Sequence, residues 1–79
     1  MQTSDNKKYY VVALSISSIE YAKLYRGQAS DVLARSETGE KLRFPARSLQ
    51  PFLLNDGIRG RFAIVTDQQN KLIKIERLG

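Results

Sequence analysis

The basic side chains in the C-terminal half of the chain alternate with apolar side chains, and this spacing is its clearest chemical signal. In Lys41-Leu42-Arg43-Phe44, and again in Ile58–Phe62, cationic and apolar residues follow one another with a period of two. Successive side chains of a β-strand point to opposite faces of the sheet. The pattern therefore predicts a sheet with one apolar face and one strongly basic face, which suits an anionic ligand.

By this parity, a set of cations lies opposite the inward residues Phe44, Phe62 and Ile75. Such cations offer phosphate contacts, whose strength depends steeply on salt. Sheets that bind nucleic acid usually add exposed aromatic rings for base stacking, and here only Tyr9 is expected to point outward. The predicted nucleic-acid-binding residues are Arg43, Arg59 and Arg61 at the centre, with Arg35, Lys41 and Lys74 at the periphery.

Nearby carboxylates allow a second interpretation of the same residues. Glu37, Glu40 and Glu76 fall on or beside the basic segments and are able to neutralise them. Like charges placed directly opposite one another destabilise a sheet slightly, so neutralisation would relieve a cost. The basic face is then a solvated surface with no ligand.

Catalytic chemistry finds little support in this composition. The chain has no His and no Cys, the usual bases and nucleophiles of hydrolytic sites, and its eight Asp and Glu residues are scattered, mostly at turns. The acidic loop Asp67–Asn70 has too few ligands for calcium. We expect a protein that is not an enzyme, with no metal site, no cofactor and no small-molecule substrate.

Two glycines close to Arg59 are candidates for a phosphate-binding loop. Gly57 and Gly60 bracket Ile58-Arg59, but the spacing of phosphate-loop and dinucleotide motifs is absent. We expect Gly57 to close a turn. Gly60 is expected to mark a bulge or a close approach by the helix.

Size and charge limit the choice of partners and compartment. The 79 residues make one small domain with a net charge of +5, which favours nucleic acid or another acidic macromolecule as partner. A core of this size leaves little net stability, so a homodimer is a natural supplement. No apolar run approaches the ~20 residues of a membrane helix, and the lack of Cys suits a reducing compartment. We expect a cytoplasmic protein without membrane contact.

The elements that must position these residues follow from local patterns. Ser17 and Glu20 have the spacing of a capping box, which predicts a helix over residues 18–26 with Gly27 as its C-terminal cap. Leu49, Phe52 and Leu53 suit a short helical turn over 46–54, lying as a lid on the core. Residues 1–8 are a polar leader expected to be disordered. The predicted strands are Tyr9–Ile16, Ser30–Ser36, Glu40–Phe44, Ile58–Thr66 and Lys71–Leu78, with a hairpin turn at Thr38-Gly39.

This order, β-α-β-β-(short α)-β-β, predicts a single α+β domain over residues 9–79. We expect a mostly antiparallel five-stranded sheet with helix cover. The first two strands are expected to be parallel neighbours through a right-handed crossover, since the first strand enters the helix directly. A curled, partly open barrel is the alternative.

Four segments carry a resemblance to a known family. Tyr25-Arg26-Gly27, Leu42–Ala46, Leu49–Phe52 and Gly57–Phe62, in this order and at this chain length, resemble a family of short bacterial proteins of unknown function. The similarity runs from about Tyr9 to Leu78. It implies a bacterial cytosolic protein and transfers no site residue.

Two hypotheses for function remain. The first is a non-enzymatic binding module whose basic sheet face contacts nucleic-acid phosphates. The alternative is a protein-protein interaction or self-association module, acting through an exposed patch of Leu33, Ala63 and Val65 or through an unpaired edge strand.

Overall fold

The two longest strands, β1 (Lys8–Ser17) and β4 (Gly57–Thr66), pair side by side at the centre of the fold. We describe a computed structural model of the chain, which covers residues 6–26 and 31–79. The two strands are antiparallel along their whole length, from Lys8 opposite Thr66 to Ser17 opposite Gly57. Strand β5 (Leu72–Arg77) pairs antiparallel with the other edge of β4, which gives a three-stranded sheet in the order β1-β4-β5.

A second, two-stranded sheet is formed by β2 (Asp31–Arg35) and β3 (Lys41–Pro45). It is an antiparallel hairpin, which we call the ribbon, and its turn is closed by the Ser36 N–H donating to the Glu40 carbonyl at 2.8 Å. The next residue, Glu37, donates its N–H to the carbonyl of Val11 at 2.8 Å. This bond attaches the tip of the ribbon to the free edge of β1.

The single five-stranded sheet predicted from the sequence is therefore wrong, as is the parallel pairing of the first two strands. β1 pairs with β4, and the ribbon forms a sheet of its own. The reason is length. β1 and β4 each pair ten residues with the other, whereas β2 contributes five residues in the part of the chain that the structure describes. Both sheets are antiparallel, and they do not close into a barrel.

Helix α1 (Ser18–Arg26) begins as the capping box predicts. The Glu20 N–H donates to Ser17 Oγ at 3.1 Å, and the Ser17 N–H donates to Glu20 Oε1 at 3.1 Å. The predicted cap at Gly27 and the predicted strand start at Ser30 lie outside the described residues. The helix start is thus confirmed, at the residue where β1 ends.

The short helical turn is a 3₁₀ helix over Ala46–Phe52 that contains Pro51. It covers the core as expected: Leu49 is fully buried, and the Phe52 ring packs edge-on against Phe62 with centroids 5.2 Å apart. Leu53, in contrast, lies after the helix in extended backbone and is 37% exposed. Its predicted part in the lid is wrong, because the chain turns outward before it.

The inner faces of both sheets share one hydrophobic core. The three-stranded sheet contributes Val12 and Phe62, and the ribbon contributes Val32 and Phe44. Tyr21 joins them from α1, where its hydroxyl donates to the buried Ala46 carbonyl at 2.9 Å. Because both inner faces point into this core, the two outer faces point away from it, on two different sheets.

Gly57 and Gly60 have structural roles. Gly57 closes the turn from Leu54 with a φ of +123°, and a Cβ there would lie 2.0 Å from the Ile16 carbonyl oxygen. Gly60 has a φ of +133°, and its close neighbours are the Gly79 carbonyl oxygen and the Arg77 guanidinium rather than the helix. The predicted turn at Gly57 is confirmed. The predicted bulge or helix approach at Gly60 is wrong, because the β1–β4 register runs through Gly60 without a shift and the C-terminal residues lie closest to it.

Two further features of the structure bear on the predicted leader and on contact with a membrane. β1 begins at Lys8, the residue at which the predicted leader ends, and residues 1–5 of that leader lie outside the described residues. Among the described residues, the helices are too short and too polar to cross a membrane.

Candidate nucleic-acid interface

The parity on which the predicted site rests is confirmed. Phe44 and Phe62 are buried, Ile75 packs against the core, and Tyr9 is 57% exposed. All six predicted cations are exposed. Alternation alone therefore assigned each side chain to the correct face of its strand.

The six cations nevertheless do not form one surface. Arg59, Arg61 and Lys74 lie on the outer side of β1-β4-β5, which we call the sheet face. The other three cations lie on the outer side of β2 and β3, which we call the ribbon face. They are Arg35, Lys41 and Arg43. The expectation of one continuous basic surface is wrong, because it required a single sheet.

On the sheet face, Arg61 is bound by a carboxylate from the ribbon turn. Its Nε donates to Glu37 Oε2 at 2.9 Å and its Nη2 to Glu37 Oε1 at 3.1 Å, a bidentate pair. The hydrogen bond and charge of Glu37 raise the pKa of Arg61 above its ordinary value. The backbone bond from Glu37 to β1 places this carboxylate over the sheet, so the pair is part of the link between the two sheets.

The other two sheet-face cations also have carboxylate partners. Arg59 lies 3.4 Å from an oxygen of Asp56 and donates to Ser15 Oγ at 2.7 Å. Lys74 lies 2.9 Å from an oxygen of Glu76, whose hydrogen bond raises the pKa of Lys74. With Glu37 on Arg61, each cation of the sheet face has one carboxylate, so these ion pairs carry no net charge.

The same face lacks the apolar patch that the alternative hypothesis required. Val65 is fully buried and Ala63 is 8% exposed, although both point away from the main core. The residues directly opposite Val65 on the neighbouring strands are Tyr9 and Lys74, which lie close enough to interact electrostatically. The longer flanking side chains leave these small residues of the central strand little exposure, so the predicted patch is wrong except for Leu33.

The ribbon face keeps an excess of positive charge. Arg35 and Lys41 are directly opposite each other, and Arg43 is two residues further along β3. Asp31 is the carboxylate of this face, 3.8 Å from Arg43 Nε, which is beyond hydrogen-bonding distance. Three cations and one carboxylate leave a net charge of +2 on the outward residues of the ribbon.

The ribbon cations are also less restrained. The Arg43 side chain is 71% exposed, and Arg35 donates one hydrogen bond, from Nη1 to the Gly39 carbonyl at 3.1 Å. Over residues 6–26 and 31–79, the Lys41 ammonium group has neither a hydrogen bond nor an ion pair. These three groups therefore have most of their donors available to an anion.

The third carboxylate suggested by the sequence, Glu40, does not neutralise the ribbon face. It accepts hydrogen bonds from the hydroxyls of Ser36 and Thr38 inside the turn, and these bonds lower its pKa below the ordinary value. Its position in the alternation puts it on the opposite side of the ribbon from Lys41. Glu40 stabilises the turn instead.

Two carboxylates in the site were missed by the sequence analysis. Asp56 is three residues before Arg59, a spacing visible in the sequence, whereas Asp31 meets Arg43 only through the ribbon register. Within the part of the chain that the structure describes, no three Asp or Glu side chains group as ligands for a metal ion. The arrangement offers charge and hydrogen-bond donors for an anion.

The comparisons with known proteins concern the chain as a whole rather than this site. Neither the curated proteins nor the solved structures yielded a match to this sequence. A family model described as "Protein of unknown function (DUF2835)" matches residues 8–78, from the first residue of β1 to one residue past β5. The chain therefore belongs to the DUF2835 family.

Proposed function

We propose that this protein is a non-enzymatic binding module that contacts nucleic-acid phosphates through the ribbon face. The observation that carries the proposal is the unequal distribution of free charge. The sheet-face cations each have a carboxylate partner, whereas the ribbon outward residues keep a net charge of +2.

The proposal changes the ranking of the predicted residues. Arg35 and Lys41 become central beside Arg43, while Arg59 and Arg61 become peripheral with Lys74. Exposed ion pairs are weak, so the sheet-face cations are still able to turn toward a phosphate. They must first leave a carboxylate at 2.9–3.4 Å, whereas Arg43 has only the longer 3.8 Å contact with Asp31 and no carboxylate pairs with Arg35 or Lys41 among the described residues.

Phosphate is the anion that best suits this arrangement. Arginine donates several hydrogen bonds from a planar fork that matches phosphate geometry, and lysine adds a mobile point charge. The chain as a whole also carries a net charge of +5, which steers it toward polyanions. A polyphosphate backbone offers a series of phosphate groups to the three ribbon cations, whereas a small anion offers one charged group.

Two triple variants with the same change in net charge test the proposal. The first neutralises the ribbon face, Arg35→Gln, Lys41→Gln and Arg43→Gln. The second, the matched control, neutralises the sheet face, Arg59→Gln, Arg61→Gln and Lys74→Gln. Fluorescence anisotropy with labelled oligonucleotides at low salt measures the affinity of each, and circular dichroism checks that each is folded.

The ribbon triple is expected to lose at least about ten-fold in affinity, since it can no longer make charged hydrogen bonds to phosphate. The sheet triple is expected to lose much less. Equal losses in both variants, or a larger loss in the sheet triple, would overturn the assignment to the ribbon. Wild-type protein that binds no oligonucleotide at low salt would overturn nucleic-acid binding itself.

The alternative, self-association, has one observation in its favour. Among the described residues, β5 pairs only with β4, which leaves its outer edge open beside the half-exposed side chain of Ile73. An open edge is a template for pairing with another strand, although Lys74, Glu76 and Arg77 on β5 oppose this by their charge. Sedimentation velocity over a wide concentration range tests it, and a monomer throughout would exclude a dimer.

A further inference from the structure

The ribbon packs its inner face on the core and has a cleft beside each of its two strands. A cleft of about 350 Å³ follows β3, lined by the consecutive residues 41–44 and by Ile64, Thr66, Asn70 and Leu72. A more open cleft of about 600 Å³ separates β2 from β1 and α1. Within the described residues, β2 and β3 pair only with each other. The ribbon is thus a two-stranded ridge between two clefts.

The outward residues of this ridge have a distinct composition. Leu33 lies at the centre of β2, is 71% exposed and is directly opposite Arg43. Arg35 and Lys41 form the next pair toward the turn. The outward positions of the ribbon, which are Asp31, Leu33, Arg35, Lys41, Arg43 and Pro45, include no aromatic residue.

This composition favours a duplex over a single strand. Proteins that bind single strands stack the bases on aromatic side chains, which the ribbon face does not present. The major groove of B-form DNA is about 12 Å wide and admits a two-stranded ribbon, whose strands are about 4.8 Å apart. In duplex RNA the major groove is too narrow and deep for side chains to read.

We propose that the nucleic acid is duplex DNA and that the ribbon enters its major groove, with Leu33 toward the bases and the paired cations toward the phosphates. The proposal rests on the proposed function and specifies its ligand. Arg35 and Lys41, on neighbouring strands, lie at positions from which they reach toward opposite walls of the groove. Leu33 supplies the apolar contact that a thymine methyl group accepts in the major groove.

Competition binding distinguishes the classes of nucleic acid. A labelled thymine-rich DNA duplex is displaced by unlabelled duplex DNA, single-stranded DNA of the same sequence, or duplex RNA, at equal nucleotide concentration. Duplex DNA is expected to compete about five-fold or more effectively than the other two. Equal or better competition by single-stranded DNA or duplex RNA would overturn the groove proposal and leave phosphate binding standing.

A second measurement tests the contact of Leu33 with the bases. Replacing thymine by uracil in the duplex removes only the methyl groups, and it is expected to weaken wild-type binding about three-fold. The Leu33→Ala variant should bind the two duplexes equally and keep the wild-type salt dependence, because all its cations still reach the phosphates. Leu33 is exposed, so the variant is expected to fold.

An equal uracil effect in both proteins, or no effect in wild type, would overturn the base contact. If no nucleic acid binds at all, the proposed function fails together with this one.

Discussion

Arg61 and Arg43 have the same side chain and differ in what holds it. The guanidinium of Arg61 donates hydrogen bonds to both carboxylate oxygens of Glu37. The guanidinium of Arg43 lies 3.8 Å from the nearest oxygen of Asp31. Strand alternation predicts the face of each residue and says nothing about its partner. Glu37 is 24 residues from Arg61 in the sequence, so only the fold brings the two together.

The conformation of Gly57 is a second requirement at the level of one residue. We expect Gly57→Ala to lower the free energy of unfolding by about 3 kcal/mol, because positive φ and a clash with the Ile16 carbonyl act together. The matched control is Gly39→Ala, where φ is +98° and a Cβ has open space. It should cost about 1 kcal/mol, the penalty of the backbone conformation alone. Urea denaturation measures both, and equal losses would contradict the role of the clash.

At the level of elements, one buried hydrogen bond joins α1 to the 3₁₀ helix. We expect Tyr21→Phe to lower the free energy of unfolding by about 1 kcal/mol, because the buried Ala46 carbonyl loses the hydroxyl that donates to it. The control is Tyr10→Phe. In the wild type, the Tyr10 hydroxyl donates to the exposed Asn70 side chain at 3.1 Å. Water replaces that bond, so the control should change stability less. Thermal or urea unfolding that ranks the two variants in the opposite order would contradict this view of the helix contact.

The ribbon turn should respond to pH through Glu40. Hydrogen bonds from Ser36 and Thr38 lower the pKa of Glu40 below its ordinary value of 4.5, so ionised Glu40 stabilises the folded state above that pH. The contribution disappears as pH falls from about 4.5 through the lower, folded pKa. Wild type should therefore be more stable than Glu40→Gln at pH 7, and the difference in urea midpoints should shrink toward pH 3. A difference that stays constant over this range would contradict the assignment.

The individual strands, helix and turns were easier to predict from the sequence than the pairing of the strands. The β1 and β4 strands, the helix start at Ser17 and the turn at Gly57 have local signals: alternation, a capping box and a positive-φ glycine. The pairing of β1 with β4 depends instead on contacts between residues 40 to 58 positions apart along the chain, which no local pattern specifies. The mistaken neighbour for β1 led directly to the mistaken single basic surface.

For the molecule as a whole, the two sheets divide the charge between them. The core that both inner faces share forces the basic residues onto two outer faces, and the link through Glu37 neutralises Arg61 on the sheet face. The fold thus sets which cations remain available. The exposure of the predicted cations followed from the sequence, while the partners of Arg61 and Arg43 depended on tertiary contacts.

The most direct test of this division is the salt dependence of duplex DNA binding by wild type and the two triple variants. The slope of log affinity against log salt falls by about 0.9 for each phosphate that is no longer neutralised, so the ribbon triple should lose about 2.7 from the wild-type slope. The sheet triple, with the same net charge, should keep a slope close to that of wild type. Equal slopes for the two triples would contradict the claim that the free charge, and the binding, belong to the ribbon.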